Sequence, residues 1–223
     1  MIPIESPPTS RNVQRPAWSG DSVRIVGYSE PTQHAIACDR ILSMLPEDTI
    51  ETTPAAVNPF VASDVASLLR EHGWLVDEPS LTQVAWCERA AALLGPHAAD
   101  RGALGDLLGL VFAYDADAIL QQVESHIVLA RSGAREVIRE LSLLVLEDGA
   151  IDSDRYKEIV TALKARLELR GRELFHPIRL SLAGRAGEGE LDRVILLLDF
   201  AGQAGFNVKR TRVRILEFCA ALD

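Results

Sequence analysis

Five arginines fall within residues 166–185: Arg166, Arg170, Arg172, Arg179 and Arg185. A guanidinium is a rigid fork of donors that grips a phosphate bidentately and stacks flat on an unpaired base, so this spacing suits an RNA partner. It equally suits a solvated helix face paired with Glu168 and Glu173. Pro177 fixes φ and cannot donate, which fits the first position of a helix after an extended stretch at 174–176 and thereby aims Arg179. Gly184 and Gly189 permit tight backbone geometry near a base. Glu188 beside them repels phosphate but can accept a hydrogen bond from a cytosine amine. A second group, Lys209, Arg210, Arg212 and Arg214, opens the expected last helix, where cations oppose the helix dipole unless an anion offsets them. Phe175 and Phe206 are candidates for base stacking or for the core.

Catalytic chemistry has no comparable footing. The histidines His34, His72, His97, His126 and His176 stand apart from cysteines or carboxylates at metal-ligand spacing. Cys38, Cys87 and Cys219 are odd in number and form no CxxC pair, which points away from a zinc site or disulfide framework and towards a reducing cytoplasm. No Walker loop, GxSxG, HExxH or GxGxxG occurs. Asp115 and Asp117 read as a helix cap rather than a dyad. No catalytic residue, metal or cofactor is expected.

The elements that would carry the arginines are helical. A charged fraction of 25% with 5% aromatics, rich in Leu and Ala, favours helix bundles over β-sandwiches, and we expect an all-α protein of two packed helical subdomains. Residues 1–21 read as a flexible arm and 22–60 are unassigned; within them 22–28 alternates as a short strand or an extended arm, and 33–45 as a helix ended by Pro46. Residues 61–130 form the first helical subdomain. Ser63, Ser80, Asp115, Ser132 and Asp152 or Ser153 are candidate caps, and Gly73, Gly95, Gly149 and Gly171 are stops. Asp115 is expected to cap one helix through Ile119, Leu120, Val123 and Ile127, and residues 104–112 form a helix apolar nearly all round. No apolar run reaches the roughly 20 residues that span a bilayer. Residues 1–130 hold 7 basic against 17 acidic side chains, a balance of −10, whereas 131–223 hold 16 against 15, a balance of +1. Such asymmetry points to an anionic partner of the second half.

Residues 170–172 (Arg-Gly-Arg), 174–179 (Leu-Phe-His-Pro-Ile-Arg), 182–184 (Leu-Ala-Gly) and 189–191 (Gly-Glu-Leu) together resemble the anticodon-binding end of bacterial glutamyl-tRNA synthetases. The family pattern there is K-G-K-x-L-F-x-P-L-R-x-A-L-T-G. The resemblance covers 131–199, more loosely 63–130, where Phe112-Ala113-Tyr114-Asp115 looks like the family's aromatic-Asp turn, and not 1–60. It implies that 131–223 is an anticodon-binding-like helical domain and that Arg179, matching the family's P-L-R arginine, contacts anticodon base edges. With the arginine cluster it leads us to expect tRNA contacts at Arg170, Arg172, Arg185, Glu188, Gly189 and Leu191, and the second basic group adds Lys209 and Arg210. The chain departs from the pattern at Ala183-Gly184, where the family has Thr-Gly, and at residues 188–191, where Gly-Pro-Glu-Leu becomes Glu-Gly-Glu-Leu. The H-I-G-H and K-M-S-K signatures of the class I catalytic domain are missing. The expectation is a stand-alone, noncatalytic tRNA-binding protein acting in or beside aminoacylation, with tRNA-Glu favoured and a synthetase catalytic subunit as a further partner. The alternative is a helical protein-interaction module of the same origin that no longer binds RNA.

Overall fold

The computed structural model describes residues 58–147 and 149–222, so the expected arm, strand and helix before residue 58 lie outside the described residues. Ten α-helices follow in order: α1 (Ala62–Glu71), α2 (Leu81–Leu94), α3 (Arg101–Phe112), α4 (Ala116–Leu120), α5 (Val123–Leu129), α6 (Ala134–Leu146), α7 (Ser153–Leu167), α8 (Gly171–Ala183), α9 (Glu190–Gln203) and α10 (Thr211–Leu222). No strand occurs among the described residues, so the protein is all-α.

Several helix starts follow from local chemistry. Ser80 accepts from the Gln83 N–H while Gln83 Oε1 accepts from the Ser80 N–H, a reciprocal box that satisfies two otherwise orphaned donors. Asp115 accepts from the Ala118 N–H, and Asp152 from the Asp154 and Arg155 N–H groups. Other starts move. Ser63 does not cap α1, which begins one residue earlier, and Asp64 reaches back to accept from the Val61 N–H at 2.9 Å. α6 starts behind Gly133, at φ 81°, rather than at Ser132. The helix expected from Asp115 onward is broken at residues 121–122 into α4 and α5, leaving Val123 and Ile127 exposed. Buried Ser125 explains the break: its hydroxyl donates to the Ile119 carbonyl at the end of α4.

Two corrections concern the arginine-bearing segment. Gly171 does not end α7. Glu168 does so in the left-handed region, at φ 56°, and Gly171 opens α8. Pro177 does not start a helix but lies inside α8, with residues 174–176 helical before it. It removes the bond that the Glu173 carbonyl would accept. Glu173 is exposed, so water can serve that carbonyl, and the Pro177 ring itself is buried.

The centre of the fold is the hairpin of α8 and α9. α9 buries Leu191, the continuous run from Val194 to Asp199, and Ala201, and α8 buries its whole C-terminal half. Such all-round burial marks interior helices. α2 and α3 pack on α9, α6 and α10 on α8, and α7 on α6. Phe112 joins α3 to Trp74, Trp86 and Phe206, with Trp86 edge-on to Phe206 at 5.0 Å, so Phe206 belongs to the core.

Candidate nucleic-acid interface

α8 and α9 pack together, and Arg179, in the C-terminal half of α8, meets Asp192, in the first turn of α9. Arg179 donates from Nε to Asp192 Oδ1 and from Nη2 to Asp192 Oδ2, both at 2.8 Å, and from Nη1 to the Gly187 carbonyl at 2.5 Å. Tyr156, on α7, donates its hydroxyl to the same Asp192 Oδ1 at 2.8 Å. The guanidinium also lies 5.1 Å from the centre of the Phe175 ring. Arg179 is therefore buried and its fork is spent inside the chain, where the sequence led us to expect it aimed outward from a helix start. Burial opposes its charge, but the Asp192 carboxylate more than offsets this and raises its pKa. Burial, with the neighbouring Asp192 charge second, raises the Tyr156 pKa, so the phenol stays a donor.

Around this clamp the expected contact residues divide. Arg170, Arg172 and Arg185 are exposed, as are Glu188 and Gly189, while Leu191 is buried in the core. Arg172 lies 3.4 Å from Glu188, joining the start of α8 to the turn; an exposed pair of this kind contributes about 0–1 kcal/mol and is readily exchanged for a phosphate. Arg170 and Arg185 bond no carboxylate among the described residues, nor does Arg193, an exposed residue of α9 that pattern reading did not single out. Arg170 and Gly171 border a concavity of about 980 Å³ with Lys164, Glu168 and Phe175. Phe175 is half-buried, and Lys164 Nζ stands 5.5 Å from its ring centre. Arg166 pairs with Glu140 at 3.0 Å.

His176, read from the sequence as an isolated histidine, is half-buried in α8. Its Nδ1 sits 3.2 Å from Arg131 Nη1, and its Nε2 is buried without a partner. Burial, then Arg131, Arg179 and Arg172, push its pKa below the usual 6.5, with Glu188 opposing.

The second basic group does not form a single exposed face. Lys209 pairs with Glu217 at 2.7 Å, and Arg210 donates to the Gly202 carbonyl at the end of α9. Arg212 is exposed. Arg214 is fully buried: Nε donates to the Lys209 carbonyl, Nη1 to those of Leu110 and Leu182, each at 2.8 Å, and Nη2 to that of Val111. It closes the C-terminal ends of α3 and α8, where orphaned carbonyls and the negative ends of two helix dipoles meet. Because Arg214 ties Lys209 to Leu182 while Arg172 sits at the other end of α8, about 15 Å of helix at 1.5 Å per residue separates Arg172 from that end, whereas Arg185 follows it directly. Asp192 and Tyr156 were invisible to local pattern; the only signal for Asp192 was its place across the short turn from Arg179.

A comparison with curated proteins finds a protein named glutamate–tRNA ligase 2, from Syntrophus aciditrophicus (strain SB), 28% identical over 119 residues. The match takes in 51% of this chain and 23% of the relative, so the chain corresponds to under a quarter of that protein's length. No family model and no solved structure matches. No helix among the described residues is long and apolar enough to cross a membrane. The chain is thus loosely related to the glutamate–tRNA ligases.

Proposed function

We propose that the chain is a noncatalytic, cytoplasmic tRNA-binding protein built like the anticodon-binding region of a glutamyl-tRNA synthetase, with tRNA-Glu the favoured ligand and a synthetase catalytic subunit a further partner. The observation that carries this reading is the rim of the α8–α9 hairpin. Arg170, Arg172, Arg185 and Arg193 are all exposed, and of the nearby acids Asp192 is turned inward on Arg179 while Glu188, in the turn, is exposed beside Arg172. Arg170 precedes the first turn of α8 and makes no capping bond to it, so that turn's N–H groups add a positive helix end to the same rim. Lys209 and Arg210 lie towards the C-terminal end of α8, which Arg185 also follows, as further contacts within the reach of one RNA stem-loop. The relation to a glutamate–tRNA ligase supports the choice of ligand.

The test is a titration of unmodified tRNA-Glu and an unrelated tRNA against wild type and the triple variant Arg170→Ala/Arg172→Ala/Arg185→Ala at several salt concentrations. Each lost phosphate contact should lower the slope of log K against log salt by roughly one. Equal, negligible binding by both proteins would remove the RNA reading. Copurification of a synthetase without RNA would then favour the interaction-module alternative.

A further inference from the structure

We infer that Asp192 and Tyr156 are positioning residues for RNA binding: acting through Arg179, they hold the turn at 184–189 in the shape that presents Arg185 and Glu188. The inference rests on the tRNA reading above and assigns Arg179 a different part from the base contact that the resemblance implies. Asp192 is the hub. Its two oxygens accept three hydrogen bonds, from Arg179 Nε, Arg179 Nη2 and Tyr156 Oη, so its place is fixed from both α7 and α8. The remaining bond of the guanidinium reaches the Gly187 carbonyl at 2.5 Å. That bond ties the middle of the turn to α8, whereas the Arg172–Glu188 pair on its outside is solvent-exposed. The turn also lies close on α9: a Cβ at Gly187 would come within 2.9 Å of Leu191 Cδ1.

The chain needs this outside help because Gly184, Gly187 and Gly189 give the turn little stiffness of its own. A turn that is loose in the free protein must be ordered when RNA binds, and that ordering weakens affinity without removing any contact. With its Nε and Nη2 edge on Asp192 and its Nη1 on the Gly187 carbonyl, Arg179 has no free fork for a phosphate or a base edge. Its contribution passes through the Gly187 backbone.

A double-mutant cycle on tRNA affinity separates these roles. Labelled unmodified tRNA-Glu is titrated against wild type, Arg179→Ala, Asp192→Asn, the double variant and Tyr156→Phe, with amide hydrogen exchange across 185–190 followed in each. We expect Arg179→Ala and Asp192→Asn each to weaken binding by about tenfold, the effect of leaving one or two more side chains to be ordered on binding. The double variant should be no weaker than either single, because both break one unit. The salt slope should stay at the wild-type value, and the turn amides should exchange faster. Tyr156→Phe, which removes one bond and preserves packing, should show the same pattern at smaller size and decides the matter if Asp192→Asn does not fold. The inference is overturned if Asp192→Asn binds as tightly as wild type or tighter, if the two losses multiply, or if Arg179→Ala lowers the salt slope. Any of these would return Arg179 to direct contact or remove the clamp from recognition. Wild type that binds while the clamp variants match it sinks this inference alone; wild type that fails to bind tRNA sinks the functional reading with it.

Discussion

Replacing Arg214 should test the account of the fold more severely than any apolar truncation. The residue is fully buried, and no carboxylate bonds it. Its charge is instead shared among four carbonyl oxygens, those of Leu110, Val111, Leu182 and Lys209, and the Tyr114 ring 4.5 Å away. Tyr114 adds to the same closure by donating its hydroxyl to the Ser181 carbonyl at 2.6 Å. Burial pushes the guanidinium pKa down, to about 10, still well above neutral, so the cation persists at pH 7. Removing the donors orphans two buried carbonyls, those of Val111 and Leu182, and two half-buried ones, those of Leu110 and Lys209, at about 1–3 kcal/mol for each one that finds no water. Releasing a buried cation returns several kcal/mol of desolvation. The balance for Arg214→Met, which keeps most of the volume, is a loss of about 3 kcal/mol; Arg214→Lys, retaining charge but not the fork, should lose about 2 kcal/mol. Urea unfolding followed by circular dichroism measures both. At an m of about 2 kcal/mol/M, the Met variant's midpoint should fall by about 1.5 M with m unchanged. A Met variant within about 0.5 kcal/mol of wild type would refute the reasoning, because it would mean that desolvation cancels the bonds.

Two further outcomes follow from the same geometry. Gly184 closes α8 at φ 80°, and a Cβ there would lie 2.9 Å from Ile119 Cδ1, so Gly184→Ala should cost about 1–2 kcal/mol in the same urea assay. His176 binds a proton less readily in the folded protein than unfolded, because burial and then Arg131, Arg179 and Arg172 disfavour its charge, with Glu188 alone opposing. The unfolded state therefore takes up more protons below the usual histidine value of 6.5, and the stability His176 supports at neutral pH is lost as pH falls from there towards its lower folded value. Unfolding free energies of wild type and His176→Gln measured from pH 8 to pH 5 should show a steeper acid loss in wild type. Parallel curves would show that His176 does not titrate against these arginines.

The parts of the fold legible in the sequence were those with a local cause. Ser80, Asp115 and Asp152 each stand just before an apolar run, and a short acceptor there meets donors two or three residues ahead whatever the rest of the protein does. The stripe Val137, Ile138, Leu141 and Val145 in α6 follows from helical spacing alone and is buried as that spacing implies. Pro177 misled because its local preference for a helix start is real but small beside the burial around it: Leu174 and Ile178 are fully buried on either side, and continuing the helix keeps both in the core. The break between α4 and α5 misled for the opposite reason, since the Ile119 carbonyl accepts from the Ser125 hydroxyl and the Gln122 N–H in place of the bond that a continuous helix would have made.

For the candidate interface, the sequence shows which side chains can grip an anion but not which way they face. Direction depends on partners brought together only by folding: Arg179 meets a carboxylate 13 positions on, and Arg214 meets carbonyls 32 and 104 positions back. Net charge cannot make the distinction either. The internal cations Arg179 and Arg214 are matched in number by the inward carboxylates Asp192 and Asp199, the latter accepting from the Ile151 and Thr211 N–H groups. Setting these four aside leaves the +1 balance of residues 131–223 unchanged. A surface so near neutrality has little long-range pull on RNA, so any grip must be local and come chiefly from the exposed arginines Arg170, Arg172, Arg185 and Arg193. With roughly one phosphate per exposed arginine, the salt slope of tRNA binding should be about 3 to 4, far shallower than that of a strongly basic RNA-binding domain. A slope near zero would leave the cluster without a phosphate to hold.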